Sequence, residues 1–385
     1  MEQHSHYDIA IIGAGITGLS TAYHLTQSGK LRIALSGDST STSDQSANMI
    51  AGGLIDNFTR IRQRHGPETA RAAWAYSDHA FDAVVAFAKA QKLALTPGAR
   101  IRLIETQDEF DECKKAVEQL NQAGFESAIA PPPTRSKNLL AQQIDAPRAA
   151  FLSAEALLEC LRTLTAGLDR FGRTRAVQKD VRGFRVTTGD RTITAEVVVY
   201  ANHLGIPEFL PGLKAVLVGS QDQWLRLRPA SGEFPFQVGS LLTWRHGHYW
   251  AHLETPTQLT MGGARFLRPL AGFEADHAEL SKKVSEHLPG AWAKYFPDLA
   301  LTESVGAKAA LDIRPCDEIP VIGPMFGETG IFLAAGYMGQ GLSLGFKAGQ
   351  SLANVVMGQK DELPRFFWPE RHRSLESHED EEEDE

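Results

Sequence analysis

The chain has 385 residues, 43% hydrophobic and 22% charged, the balance of an ordinary soluble globular protein. That length can bury a large core and predicts two domains, or one domain with a substantial insertion. The net charge of −8 argues against a nucleic-acid binder, and without the acidic last residues the body is close to neutral.

Residues Met1 to His6 lack a basic segment followed by an apolar one, and no stretch reaches the length that spans a membrane. Cys113, Cys160 and Cys316 are scattered without paired spacing, so neither a disulfide framework nor a zinc site is expected, and a reducing cytoplasm is the natural compartment.

The first elements read as a strand, turn, helix and strand. Ile9 to Ile12 is an apolar run too short for a helix and suited to a strand buried on both faces. Gly13, Ala14, Gly15, Ile16, Thr17 and Gly18 follow. A helical stripe of Leu19, Ala22, Tyr23 and Leu25 then closes at Gly29, before a second apolar run from Leu31 to Leu35. In that setting Gly13 allows the tight turn, Gly15 lets backbone approach a pyrophosphate, and Gly18 lets the helix pack on the strand. The helix start offers N–H groups to phosphates, so the unit predicts a dinucleotide site. An acid usually ends the second strand and binds the adenosine ribose. Here Ser36 holds that place and Asp38 lies two positions on, and the sequence leaves both open.

The small polar run after Asp38 leads through Ser46, Ala47 and Asn48 to Ala51, Gly52 and Gly53. The glycine pair before Leu54 and Ile55 predicts a loop whose backbone packs close to a ligand, with a plain surface loop as the rival. Pro67 to Lys89 is helical, with Trp74, Phe81, Val84, Val85 and Ala88 in one stripe. A strand is expected at Ile101 to Glu105, and Asp108 as cap of a helix carrying Phe110, Cys113, Val117 and Leu120 on one face before Gly124.

The run Pro131 to Pro133 predicts a crossing between subdomains. Ser153 then caps a helix with Leu157, Leu158, Leu161 and Leu164 inward. Two short strands, Phe184 to Val186 and Thr192 to Thr194, flank a turn at Thr188 to Asp190, and Val197 to Tyr200 with Ala201 and Asn202 is a further buried strand. Alternation from Val216 to Phe266 predicts a mainly antiparallel sheet, followed by a helix from about Asp276 to Leu288. His246, His248 and His252 alternate as on one strand face, without the further ligands a metal needs. Pro320 to Gly323 and the strand Ile331 to Ala335 lead through Gly336, Gly339 and Gly341 into a helix to Met357. This second glycine turn aims another helix start at a cofactor. Beyond Pro369 a disordered acidic tail is expected.

In order, these pieces resemble the D-amino-acid oxidase and glycine oxidase-like flavoproteins, a family that includes sarcosine oxidases and the oxidase half of a tRNA-wobble-modifying enzyme. The resemblance rests on Gly13 to Gly18, the Ser46 to Gly53 loop, Val197 to Asn202, Gly262 to Ala264, Arg314 and Pro315 through Pro320 to Gly323, and Gly336 to Leu342. It implies an α/β fold, with a Rossmann-like FAD domain over 1–60, 148–212 and 305–360. It implies a substrate domain, a mainly antiparallel sheet with helices, over 61–147 and 213–304, and leaves 370–385 as tail.

The resemblance also implies non-covalent FAD, since Cys316 is followed by Asp317 and misses the spacing of the cysteine that holds flavin in some sarcosine oxidases. Ser46, Ala47, Gly52 and Gly53 would line the flavin, Val177 and Ala201 the adenine side, and Gly339, Gln340, Gly341 and Leu342 the ring edge, with Asn202, Gly336 and Met338 also binding the cofactor. Arg314 and Tyr249 would hold a substrate carboxylate, and Gln340 lies where some members carry arginine. Counted strictly from the Pro-x-Ile-Gly motif, Asp312 rather than Arg314 falls at the substrate-arginine position. The implied reaction is oxidation of the C–N bond of a small amino acid or N-substituted glycine by hydride transfer to flavin, with oxygen or a carrier as acceptor. The alternatives are an FAD-holding subunit without turnover and a flavin enzyme acting on a modified tRNA base.

Overall fold

The computed structural model describes residues 5–38, 41–189, 191–268 and 278–373. It divides into two compact units, one of Met1–Asp44, Glu155–Gly219 and Asp312–Glu385, the other of Gln45–Ala154 and Ser220–Leu311.

The first unit is built on an eight-stranded sheet. Its centre is the strand His6–Ile12, in which Ile9 to Ile12 are all buried, as a strand covered on both faces requires. On one side it pairs in parallel with Thr192–Tyr200, which pairs in parallel with Ile331–Ala335; on the other it pairs in parallel with Ile33–Ser36, followed by Asp169–Phe171. Val321–Pro324 closes one edge antiparallel, and the hairpin of Thr174–Asp180 and Gly183–Thr188 attaches to the start of Thr192–Tyr200.

Two helices, Ile16–Thr26 and Gly341–Val356, each begin just beyond the carboxyl end of a parallel strand. They pack through small residues. A side chain at Gly349 would sit 2.6 Å from Ser20 Cβ and 2.7 Å from the Thr17 carbonyl, and one at Gly345 would sit 2.8 Å from Ile16 Cγ2. At that approach Ser20 Oγ donates to the Phe346 carbonyl at 2.6 Å.

The second unit carries a nine-stranded sheet in the order Leu301–Pro315, Leu217–Pro229, Gln258–Gly263, Tyr249–Thr255, Leu241–Trp244, Leu95–Ile104, Ala141–Leu152 and Met49–Ala51, with Ser127–Ala130 on Ala141–Leu152. From Leu217–Pro229 to Met49–Ala51, and with Ser127–Ala130, its pairs are antiparallel except Leu241–Trp244 beside Leu95–Ile104. One face packs Leu253, Leu259, Met261 and Trp244 against Leu288, Trp292 and Phe296 from the helix Lys282–Ala293 and the turn after it. Pro67–Ala90 and Gln107–Gln122 are its other long helices.

Several expectations are corrected. The cap of Gln107–Gln122 is Thr106, in a reciprocal box with Glu109, because Thr106 rather than Asp108 has the extended backbone a cap needs. Pro131 to Pro133 does not cross between subdomains; it joins Ser127–Ala130 to Ala141–Leu152, two antiparallel neighbours. Leu164 is 41% exposed because Ala154–Leu164 ends there, and Thr165 takes the inward place. Thr192 to Tyr200 is one strand, not two. Residues 45–60, grouped by sequence with the nucleotide domain, belong to the second unit.

The expected helix start at Asp276 lies outside the described residues, and the helix seen is Lys282–Ala293, capped by Ser281. Asp190 of the expected turn and most of the acidic tail, 374–385, also lie outside them. The part of that tail which is described, Pro369–His372, forms a helical turn. His246 sits in the tight turn between Leu241–Trp244 and Tyr249–Thr255 with φ +55, so the three histidines do not share a strand face.

Candidate functional site

The carboxyl edge of the first unit's parallel sheet gathers the nucleotide-binding features. Gly13 leaves the first strand with φ +113, and a side chain there would lie 2.7 Å from the Asn202 amide, so the turn fits only beside the exit of Thr192–Tyr200. Gly13 N–H donates to the Ser36 carbonyl at 2.7 Å, tying the turn to the second strand. A side chain at Gly18 would collide with the Gly13 carbonyl.

Gly15 is different. Its φ of −79 is ordinary backbone, and among the described residues the nearest atoms to a side chain there belong to Ser43 and Ser41, the closest at 3.2 Å. These are side-chain atoms that can shift, so the backbone does not demand glycine at this point. A glycine here leaves the main chain open to the approach of a ligand.

The helix Ile16–Thr26 has no side-chain cap at Gly15 and no acid in its first turn, although Ser43 Oγ accepts the Ile16 N–H at 3.1 Å. Gly341–Val356 likewise starts without a side-chain cap or an acid in its first turn. Each start therefore presents an uncompensated positive dipole end to the sheet edge, where phosphate or a reduced cofactor would complement it. The second turn is held by Gly336 and Gly339 at φ +78 and +82 and Met338 at φ +53. Tyr337 shares a buried hydrogen bond with Thr17 at 2.7 Å, which binds the two turns together, and burial pushes its hydroxyl pKa up.

Gln340 is 3% exposed, and its N–H donates to the Tyr337 carbonyl. Gly341 and Leu342 open the helix behind it. Asn202 Oδ1 is buried and, among the described residues, accepts no hydrogen bond. Ala201 is buried beside it, and Val177 lies half-buried on Thr174–Asp180. An orphaned acceptor, two helix starts without an acid in the first turn and a glycine at the first of them fit a dinucleotide cofactor.

The ribose position is also clearer. Ser36 is 3% exposed, and its hydroxyl pairs with Thr174 Oγ1 inside the sheet. Asp38 is exposed just past the strand end. At the end of the strand Leu301–Pro315, whose residues from Asp312 on fall in this unit, Asp312 and Arg314 project to the same side, with Arg314 Nη2 3.9 Å from Asp312 Oδ2 and His203 Nε2 3.3 Å from Asp312 Oδ1. No sequence pattern pointed to His203, which lies far along the chain and takes φ +53 directly after Asn202.

In the second unit, the Gly52–Gly53 turn is held from within. Arg100 Nη1 donates to the Gly52 carbonyl at 3.1 Å and Nη2 to that of Leu54, Gly53 N–H donates to Asp78 at 2.8 Å, and Ser77 donates to the Gly53 carbonyl at 2.6 Å. A side chain at Gly53 would collide with Arg100, and one at Gly52 would lie 2.6 Å from Asp78, so packing alone accounts for both glycines. Burial leads the causes that raise the Asp78 carboxyl pKa.

Ser46 accepts the Asn48 N–H at 3.3 Å, and Ala47 lies between them. Tyr249 is 2% exposed, stacks on Trp244 and shares a hydrogen bond with His287 at 2.8 Å on the helix-packed face of the sheet. His252, on the opposite face, stacks on Phe151, and burial brings its pKa down to about 4. Among the described residues no group of three or more His, Cys, Asp or Glu side chains is placed to hold a metal.

A parallel sheet with two glycine turns opening helices at its carboxyl edge defines a dinucleotide-binding protein of the doubly wound class. The profile of the FAD dependent oxidoreductase family matches residues 8–355, and the chain belongs to that family. It is thus an FAD-dependent oxidoreductase. Among solved structures it is similar to glycine oxidase from Geobacillus kaustophilus, with 18% identity over 95% of this chain and 98% of that one and a TM-score of 0.77. It is also similar to L-proline dehydrogenase from P. horikoshii, with 14% identity over 96% and 99% and a TM-score of 0.79. Iminodiacetate oxidase from Chelativorans sp. BNC1 follows, with 17% identity over 94% and 98% and a TM-score of 0.72. At such identities the likeness is one of fold. No curated protein sequence matches the chain. Among the described residues no helix is long and apolar enough to cross a membrane.

Proposed function

We propose that this protein oxidises the C–N bond of a small amino acid or N-substituted glycine in a reducing cytoplasm, holding FAD without a covalent bond. The observation that carries the reading is Arg314, in the end of the strand Leu301–Pro315 that belongs to the first unit, with a side chain 24% exposed, in a unit whose sheet edge carries both glycine turns. A fixed guanidinium suits bidentate binding of a carboxylate.

Bound FAD supplies a two-electron acceptor for the hydride leaving the carbon next to nitrogen. The chain supplies the rest. The Gly13 to Gly18 turn and the two helix starts receive the phosphates and balance negative charge, while Asp38 accepts from the ribose hydroxyls. Val177, Ala201 and Asn202 border the adenine side, and the Gly336 to Leu342 turn borders the ring. Arg314 orients the substrate so that its C–H bond is presented to the cofactor. Loss of hydride from the neutral amine leaves an iminium ion, which water hydrolyses to a carbonyl compound and an ammonium ion.

The test is an anaerobic panel of amino acids, N-substituted glycines and the matching amines, read by bleaching of the flavin. Arg314→Ala should lower kcat/KM for a carboxylate substrate about tenfold to hundredfold, as loss of a charge-assisted bond predicts, and leave the decarboxylated amine nearly unchanged. Equal losses on both would assign Arg314 to the fold. Acid precipitation should release the yellow colour into the supernatant; colour in the pellet would contradict non-covalent binding.

A further inference from the structure

The acid beside Arg314 has a feature that carriage of a carboxylate does not use. Ile313 is buried in the core of the first unit, so its neighbours Asp312 and Arg314 project together on the other side of the strand. Asp312 Oδ1 is engaged, lying 3.3 Å from His203 Nε2 and accepting the Ile313 N–H at 3.0 Å. Asp312 Oδ2 is buried and, among the described residues, accepts no hydrogen bond; Arg314 Nη2, at 3.9 Å, is beyond hydrogen-bonding reach.

The surroundings of the carboxyl nonetheless favour its ionised form. Burial alone would raise its pKa, but the His203 imidazole, the Arg314 guanidinium and the Ile313 amide outweigh burial and hold it below the usual carboxylate range. A buried ionised oxygen without a donor is costly, and a ligand donor relieves that cost. The pair thus presents a held cation and, beside it, an anionic acceptor with one open oxygen.

We propose that Asp312 is a specificity-determining residue, whose Oδ2 accepts an N–H from the ligand's amino nitrogen while Arg314 pairs with the ligand's carboxylate. His203 is then a positioning residue that fixes the carboxylate through its other oxygen. The site selects ligands that carry both groups and discriminates against plain carboxylates, which leave Oδ2 unsatisfied and meet its repulsion. This rests on Arg314 as the carboxylate clamp.

Calorimetric titration of the FAD-loaded protein with two probes of one shape tests it. Pyrrole-2-carboxylate has an N–H next to the carboxylate-bearing carbon, and furan-2-carboxylate has an acceptor oxygen in the same place. Neither carries the amine C–H bond that the enzyme oxidises, so binding is read without turnover. The wild-type protein should prefer the pyrrole, and Asp312→Leu should weaken it about tenfold to hundredfold while leaving the furan unchanged or tighter. His203→Leu should give a smaller loss on the pyrrole alone, and Arg314→Leu should weaken both probes. If Asp312→Leu fails to hold FAD, Asp312→Asn keeps the volume and should reduce the pyrrole preference without affecting the furan.

Equal effects of the Asp312 variants on the two probes, no effect on either, or a wild-type protein without preference would each overturn the proposal. A different failure is distinguishable. If Arg314→Leu changes neither probe, the carboxylate clamp itself is wrong, and the proposal falls with it.

Discussion

Ser36 and Asp38, two residues apart, sit in opposite surroundings, one buried in the sheet and the other exposed past its end. The Ser36 hydroxyl is buried and paired with Thr174 across two strands, so its removal costs the sheet a hydrogen bond. Ser36→Ala should therefore lower stability by about 0.5–1.5 kcal/mol in denaturant titration and hardly change FAD affinity. Asp38 is exposed beyond the strand end, where a carboxylate can meet a ribose. Asp38→Ala should weaken FAD about tenfold to hundredfold in a fluorescence titration of apoprotein and leave stability without FAD unchanged. The reverse pattern would return the ribose to Ser36. The sequence could name both residues but not divide their roles, because the partner that occupies Ser36 is Thr174, and only sheet pairing brings the two together.

Among the elements, the contact between Ile16–Thr26 and Gly341–Val356 does most to shape the cofactor edge. Gly345 and Gly349 stand one helical turn apart and let the late helix lie against Thr17, Ser20 and Thr21 of the first. Both glycine turns open this one helix pair, so their mutual placement depends on that closeness. Gly349→Leu would force the helices apart at a cost of about 1–3 kcal/mol or more, and should weaken FAD retention although residue 349 lies two turns from the helix start. Thermal melting with and without added FAD checks this; a variant with full FAD affinity would show that the turns are placed by their strands alone. The late turn was legible from Gly336, Gly339 and Gly341. The spacing of Gly345 and Gly349 was equally present in the sequence, but only the facing helix gives it a function.

For the whole molecule, the end of the described chain is fastened rather than trailing. Arg371 Nε and Nη2 donate to Asp317 at 2.7 and 3.1 Å, and Arg371 also binds the carbonyls of Ile319, Pro320, Phe366 and Phe367. Gly323 admits the Trp368 ring, since a side chain there would lie 2.6 Å from it. Burial alone would raise the Asp317 carboxyl, but Arg371 and the Ile319 amide hold it below its ordinary value. A depressed carboxyl contributes stability that is fully present above its unfolded pKa, near ~3.9, and is lost as pH falls through the lower folded value. Arg371→Leu should therefore lower the melting temperature at neutral pH, with the gap to the native protein narrowing below about pH 4. A gap that stays constant down to about pH 2 would show that the clamp acts through packing alone.

The sequence by itself determined the apolar strands of the parallel sheet, though not Asp169–Phe171, and both glycine turns and the cofactor class, because these are local: an apolar run, a turn needing glycine and a helix start lie within a few residues of each other. It also supplied Arg314 and Asp312 as rivals for one place. Tertiary structure decided what long-range partners decide. Arg100, Asp78 and Ser77, 24 to 48 residues away, hold the Gly52–Gly53 turn from within. The Tyr249 hydroxyl meets His287 on a distant helix. His203 is folded against Asp312, which stands beside Arg314. Local patterns encode backbone conformation, whereas the use to which a side chain is put depends on which distant group the fold sets opposite it.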